Sequence, residues 1–199
     1  MKKLSKKSVL LFAAAMALCA FAMPSMAGAV SFTVINSEHT LDSSNVGFGT
    51  DSGPLGVINS NCTASSFTGT VASAANAEIT AASFGGTCTA TGSTLGHCLV
   101  DATAVNLPWT VTALSSSDVQ IHGIHVNVVF TQTTPDATCN LPGASVTITG
   151  TVTGAWNNTS HHLTLSNAPG LTGDNPLGNS VVTARGTFRD TQQTLTIDN

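Results

Sequence analysis

The chain has 199 residues, of which 42% are hydrophobic and only 8% charged, with 30 Thr, 18 Gly and no Tyr. This composition excludes a coiled coil and a charge-rich disordered tail. Beyond residue 27 the arginine and lysine complement is Arg185 and Arg189 against ten acids, a formal net charge of −8, which argues against nucleic-acid and anionic-membrane partners.

All four lysines and all four methionines fall within the first 26 residues. Lys2, Lys3, Lys6 and Lys7 precede an apolar run over 9–23, and Ser25 and Ala27 supply the small residues of a signal-peptidase site. The pattern predicts a signal peptide over 1–27, with a second cleavage position after Ala29, followed by one all-β secreted domain over 28–199. The residues before Cys19 do not have the lipoprotein pattern, and no later stretch is apolar and long enough for a transmembrane helix.

Downstream, short runs rich in Val, Ile and Thr alternate with Gly, Pro, Asn, Asp and Ser at intervals of roughly ten residues. Strands are expected over 32–35, 67–71, 79–84, 109–114, 119–130, 146–152, 163–165, 181–188 and 195–197, with Thr often on the solvated face. Residues 42–61 carry several glycines and little alternation, and read as a long surface loop. About ten strands suggest a two-layer antiparallel β-sandwich, with a flattened β-barrel as the alternative.

Cysteine usage fits an oxidising compartment, because Cys62, Cys88, Cys98 and Cys139 remain once the leader is removed. A hairpin turning at residues 74–77 sets Cys62 opposite Cys88. The remaining pair, Cys98 and Cys139, brackets a second hairpin, so the fold is expected to be disulfide-stapled. No two of these cysteines have the close spacing of a zinc knuckle.

The strand over 119–130 breaks its own alternation, since a regular pleat would put Ile121 and Ile124 on opposite faces. One extra residue at Gly123 restores a continuous inward row of Val119, Ile121, Ile124, Val126, Val128 and Phe130. His122 and His125 then share the outer face with Gln120 and Asn127. Two neighbouring imidazoles make a candidate metal site if His39, His161 or His162 adds a third ligand; ordinary solvent-facing histidines are the weightier reading.

Other catalytic signals are sparse. His-Glu-x-x-His, Gly-x-Ser-x-Gly, phosphate-loop and EF-hand patterns are all missing, so no catalytic residue and no cofactor is assigned. The aspartates, Asp190 among them, sit mostly beside turn residues and read as solvated. Trp109 and Trp156 read as core anchors ahead of a ligand platform, and Arg185 and Arg189 as one-face cations paired with acids, with an anion clamp as the lesser possibility. Asn61, Asn157 and Asn158 lie in glycosylation-type sequons.

The run from Cys62 to Thr70, the segment from Ala77 to Cys88, Asn106-Leu107-Pro108-Trp109-Thr110-Val111-Thr112-Ala113, Trp156-Asn157-Asn158 and Leu165-Ser166-Asn167-Ala168 together resemble secreted bacterial protein activators of alkane oxidation. The likeness covers residues 60–170, and Leu-Pro-Trp inside the cysteine frame is its most distinctive element. It implies an extracellular, non-enzymatic accessory protein that helps cells use poorly soluble hydrocarbon, with hydrophobic small molecules or cell-surface components as partners. It carries over no catalytic residue. An exposed apolar patch near Trp109 or within 42–61 is the feature expected of such a surface-active protein. The competing readings are a surface adhesive protein that pairs through Thr-rich sheet edges, and a metal- or carboxylate-dependent hydrolase.

Overall fold

The computed structural model describes residues 30–34, 37–51, 53–54, 56–132, 138–175 and 178–198. The leader and Cys19 lie outside these residues. Twelve strands form the framework: β1 (Ser31–Phe32), β2 (Glu38–Ser43), β3 (Val46–Thr50), β4 (Ile58–Val71), β5 (Asn76–Gly92), β6 (Gly96–Ala104), β7 (Trp109–Ser115), β8 (Asp118–Thr131), β9 (Ser145–Asn157), β10 (His162–Asn175), β11 (Gly178–Asp190) and β12 (Ile197–Asp198). The class is all-β, as expected from the alternation.

The sheet closes on itself. Neighbours run β4, β3, β11, β10, β9, β8, β6 and β5, and β5 returns to β4 along most of its length. Two positions in this ring are each shared by two successive short strands. The first half of β4 pairs with β3 (Thr50 opposite Ile58) and its second half with β2 (Glu38 opposite Thr70). Across the ring, β8 pairs with β7 near Ile121 and with β6 from Val126 onward. The result lies between the sandwich and the flattened barrel: two layers whose edges are joined by hydrogen bonds, with jogs that keep it from being a regular barrel. A separate two-stranded sheet, β1 with β12, sits outside the ring.

Hydrophobic alternation fills the interior. Phe188, Trp109, Ile121, Val126 and Val182 are almost wholly buried. Phe67 stacks on Phe188 with centroids 4.3 Å apart and meets Trp109 edge-on at 6.1 Å. Side chains of this size contribute roughly 1.5–3 kcal/mol each through burial. The Asn-Leu-Pro-Trp element enters the core through a cis Leu107–Pro108 peptide, and the Trp109 indole N–H donates to the Val105 carbonyl at 3.1 Å.

Disulfides join Cys62 to Cys88 and Cys98 to Cys139. The first sits at a ladder rung of the β4–β5 hairpin, where the two cysteines are register partners. The second ties β6 to the segment following β8, close to the bridge between Gly96 and Cys139.

Residues 42–61 are not a long loop. They hold the end of β2, all of β3 and the start of β4, leaving a short connection between Thr50 and Ile58. Gly47 serves close packing, since a Cβ there would collide with the Ser60 carbonyl oxygen of the neighbouring strand, whereas Gly53 and Gly56 take positive φ in the connection.

Candidate functional site

The β8 irregularity falls at Gly123, where φ is +73° and the β8–β9 register shifts between Ile121 and Ile124. Glycine in this left-handed conformation is the signature of a G1 bulge. The inward row from Val119 to Phe130 is buried without a gap at Ile124, and His122 and His125 are both half-exposed. His125 Nδ1 lies 2.8 Å from the Asn106 side-chain nitrogen. Among the described residues no three His, Cys, Asp or Glu side chains gather as a metal site, so the pair gains no third ligand from His39, His161 or His162.

Trp109 and Trp156 are 1% and 4% exposed, so neither forms a surface platform. Arg185 and Arg189 do share the outer face of β11, but neither pairs with an acid among the described residues; Arg185 donates to Asn59 Oδ1 at 3.2 Å and to the Ser60 carbonyl at 3.0 Å. Asn158 is structural: its Oδ1 accepts from the Trp156 indole (2.8 Å) and the Ile197 amide (2.9 Å), and its Nδ2 donates to the Ile197 carbonyl (2.8 Å). Asn158 Nδ2 also lies 3.5 Å from the Ser116 carbonyl, so both of its N–H groups have acceptors within the fold.

These contacts surround a feature at one end of the ring. An apolar chamber of about 70 Å³ is lined by Phe32, Phe67, Val71, Trp156, Leu163 and Ile197, with His39 on its wall. β1 and β12 lie over it as a clasp. Phe32 and Ile197 point inward and are 3% and 1% exposed. The Phe32 amide donates to the Ala74 carbonyl at 2.7 Å, and the Thr33 amide to the Thr196 carbonyl at 3.1 Å. The first of these bonds ties β1 to the ring and the second lies within the clasp, while the Asn158 side chain holds both the amide and the carbonyl of Ile197.

Asp190 anchors the approach to β12. It is fully buried, contrary to the solvated role expected of a turn aspartate. Its Oδ2 accepts from the amides of Thr194 (3.0 Å) and Leu195 (3.1 Å), and its Oδ1 from the Gln192 amide (3.2 Å). His39 Nδ1 stands 3.3 Å from the same Oδ1, and His39 Nε2 stands 2.8 Å from Ser37 Oγ. Desolvation pushes the Asp190 carboxyl up, yet the amides of Leu195 and Thr194, then His39, then the Gln192 amide outweigh it and hold the group below its ordinary range.

Hydroxyl, imidazole and carboxylate in series are the parts of an acyl-transfer relay. Here the carboxylate spends its acceptors on the 190–195 turn as well as on the imidazole. The Ser37 hydroxyl donates to the Val34 carbonyl at 3.1 Å, which turns its proton away from the ring. The arrangement suits a clamp that fixes β2, β11 and the route into β12. Sequence reading missed it because His39 and Asp190 are 151 positions apart and meet only through the pairing of β2 with β11.

The alkane oxidation protein activator family, PraA/PraB-like, matches over residues 1–199, the whole chain. The chain belongs to this family. The match extends past residues 60–170 to both ends of the chain. No curated protein and no solved structure matches the chain.

Proposed function

We propose that the protein is an exported, non-enzymatic accessory that promotes use of poorly soluble hydrocarbon, and that the chamber beneath the β1–β12 clasp receives the apolar end of such a molecule. The observation that carries this reading is the whole-chain family match in a fold whose enclosed space is lined almost entirely by apolar side chains. An engineered cavity of about 150 Å³ lined by Leu, Ile and Phe stays dry and takes up benzene. The chamber here is about half that size, so it suits terminal methyl and methylene groups unless the clasp lifts.

A surface-film mechanism has less support. Trp109 is buried, and the large exposed apolar residues, Val57, Leu114, Val129 and Val181, come from separate strands and connections. Export is supported by the leader pattern and by two disulfides, which persist in oxidising compartments. The adhesive reading needs free sheet edges, and closure of the ring takes most of them away.

A strain lacking the protein is expected to lose growth on long-chain alkane and keep growth on a soluble carbon source. Normal growth on both overturns the proposal. Purified protein is expected to turn over no ester, glycoside or peptide; robust hydrolysis of any of them rejects the non-enzymatic part.

A further inference from the structure

The jog from β2 to β3 leaves a notch in the wall of the ring, far in character from the apolar chamber. Two adjoining depressions meet there and share Ser43, Ser44 and Thr187; the larger is about 750 Å³ and the smaller about 610 Å³. Their walls are rich in hydroxyls. Both arginines of the chain line them, Arg189 in the larger and Arg185 in the smaller, although beyond residue 27 the sequence has no other Arg or Lys. Beyond residue 27, a sequence with ten acids thus has both of its guanidinium charges at one surface feature.

The two arginines differ in what they are free to do. Arg185 is fixed by Asn59 and the Ser60 carbonyl. Arg189 is exposed, and among the described residues no carboxylate lies within salt-bridge distance of it, even though Asp42 is its register partner across the β11–β2 ladder. A second observation points into the same notch. Ser65, the register partner of Ser43, lines the larger depression at 5% exposure, and among the described residues its hydroxyl has no hydrogen-bond partner. Buried hydroxyls are ordinarily satisfied, and one left open beside a ligand-sized depression marks a place where a partner is missing.

We infer that this notch binds an anionic saccharide, with the Arg189 guanidinium receiving a sugar carboxylate and the Ser and Thr side chains engaging the ring hydroxyls. The guanidinium fork matches a carboxylate through two parallel bonds. Asp42 on the same wall accepts from sugar hydroxyls and, with a single uncommitted arginine opposite, favours a monoanionic carboxylate over a dianionic phosphate. This site is independent of the hydrocarbon chamber, so either assignment stands if the other fails.

The test is calorimetric titration of protein purified from producing cells with a trisaccharide of galacturonate, its neutral galactose counterpart and inorganic phosphate. The acidic trisaccharide is expected to bind, with the neutral one at least tenfold weaker. Arg189→Gln is expected to lower affinity for the acidic trisaccharide at least tenfold with an unchanged urea midpoint, because the side chain is exposed and makes no ion pair. Ser65→Ala is expected to lower it about threefold. Absence of binding, equal binding of the neutral trisaccharide or unchanged affinity in Arg189→Gln overturns the proposal. Phosphate binding as tight as that of the acidic trisaccharide overturns it too, and leaves a general anion site.

Discussion

Asp190 joins more of the molecule than any other charged side chain described. Three main-chain amides and His39 converge on its carboxylate, so truncation strands the buried Leu195 amide, two part-buried amides and an imidazole. Asp190→Ala is expected to cost about 3–5 kcal/mol in urea unfolding, the range for breaking a buried charged network by removing one partner. The same network sets an acid limit. A carboxyl whose native pKa lies below its unfolded value of about 3.9 stabilises the fold above that pH and loses the contribution as pH falls through the native value. Thermal scans from pH 6 down to pH 2 are therefore expected to show stability falling below about pH 4, with a smaller fall in Asp190→Ala. Trp109→Ala, which removes the indole edge-on to Phe67, is expected to cost about 3–5 kcal/mol by leaving a void in the core.

Among the elements, β8 shows what a sequence can disclose. The doubled step between Ile121 and Ile124 is visible as a fault in alternation, and Gly123 is the residue able to absorb it. Gly123→Ala is expected to destabilise by about 1–2 kcal/mol from backbone strain alone, since a Cβ there meets open space. Strand β3 shows the opposite case. Val46-Gly47-Phe48-Gly49-Thr50 has the composition of a loop, and Gly47 is explained only by a neighbouring strand that cannot be seen locally. The Cys62–Cys88 bridge was legible because a hairpin puts its own rungs opposite each other, and the second bridge followed as the remaining pair. The Ser37, His39 and Asp190 series was not, because non-local pairing alone brings Asp190 to the other two. The arginines divide in the same way: alternation placed both on one face, but only the fold shows that one is held and the other uncommitted.

At the scale of the whole molecule, closure of the ring joins strands distant in sequence, with Gly47 opposite Arg185 as an example. The covalent links restrict the unfolded chain before such contacts form. Replacing both members of the Cys98–Cys139 pair by Ser, which opens a separation of 41 residues, is expected to cost about 4 kcal/mol by the chain-entropy estimate. The Cys62–Cys88 pair, with a separation of 26, is expected to cost about 3.5 kcal/mol, and the ordering of the two urea midpoints checks the argument. The clasp over the chamber behaves differently from the ring when tension is considered. Ser31 stands opposite Asp198 and Phe32 opposite Ile197, so chain segments leaving residues 30 and 198 depart from the same end of the two-rung ladder. A pull between them peels one rung and then the next, whereas the long ladders of the ring would have to slide. The lid is therefore expected to yield before the ring, and a pull at residue 30 or residue 198 withdraws Phe32 or Ile197 once the Phe32–Ala74 bond or the Asn158 bonds to Ile197 give way.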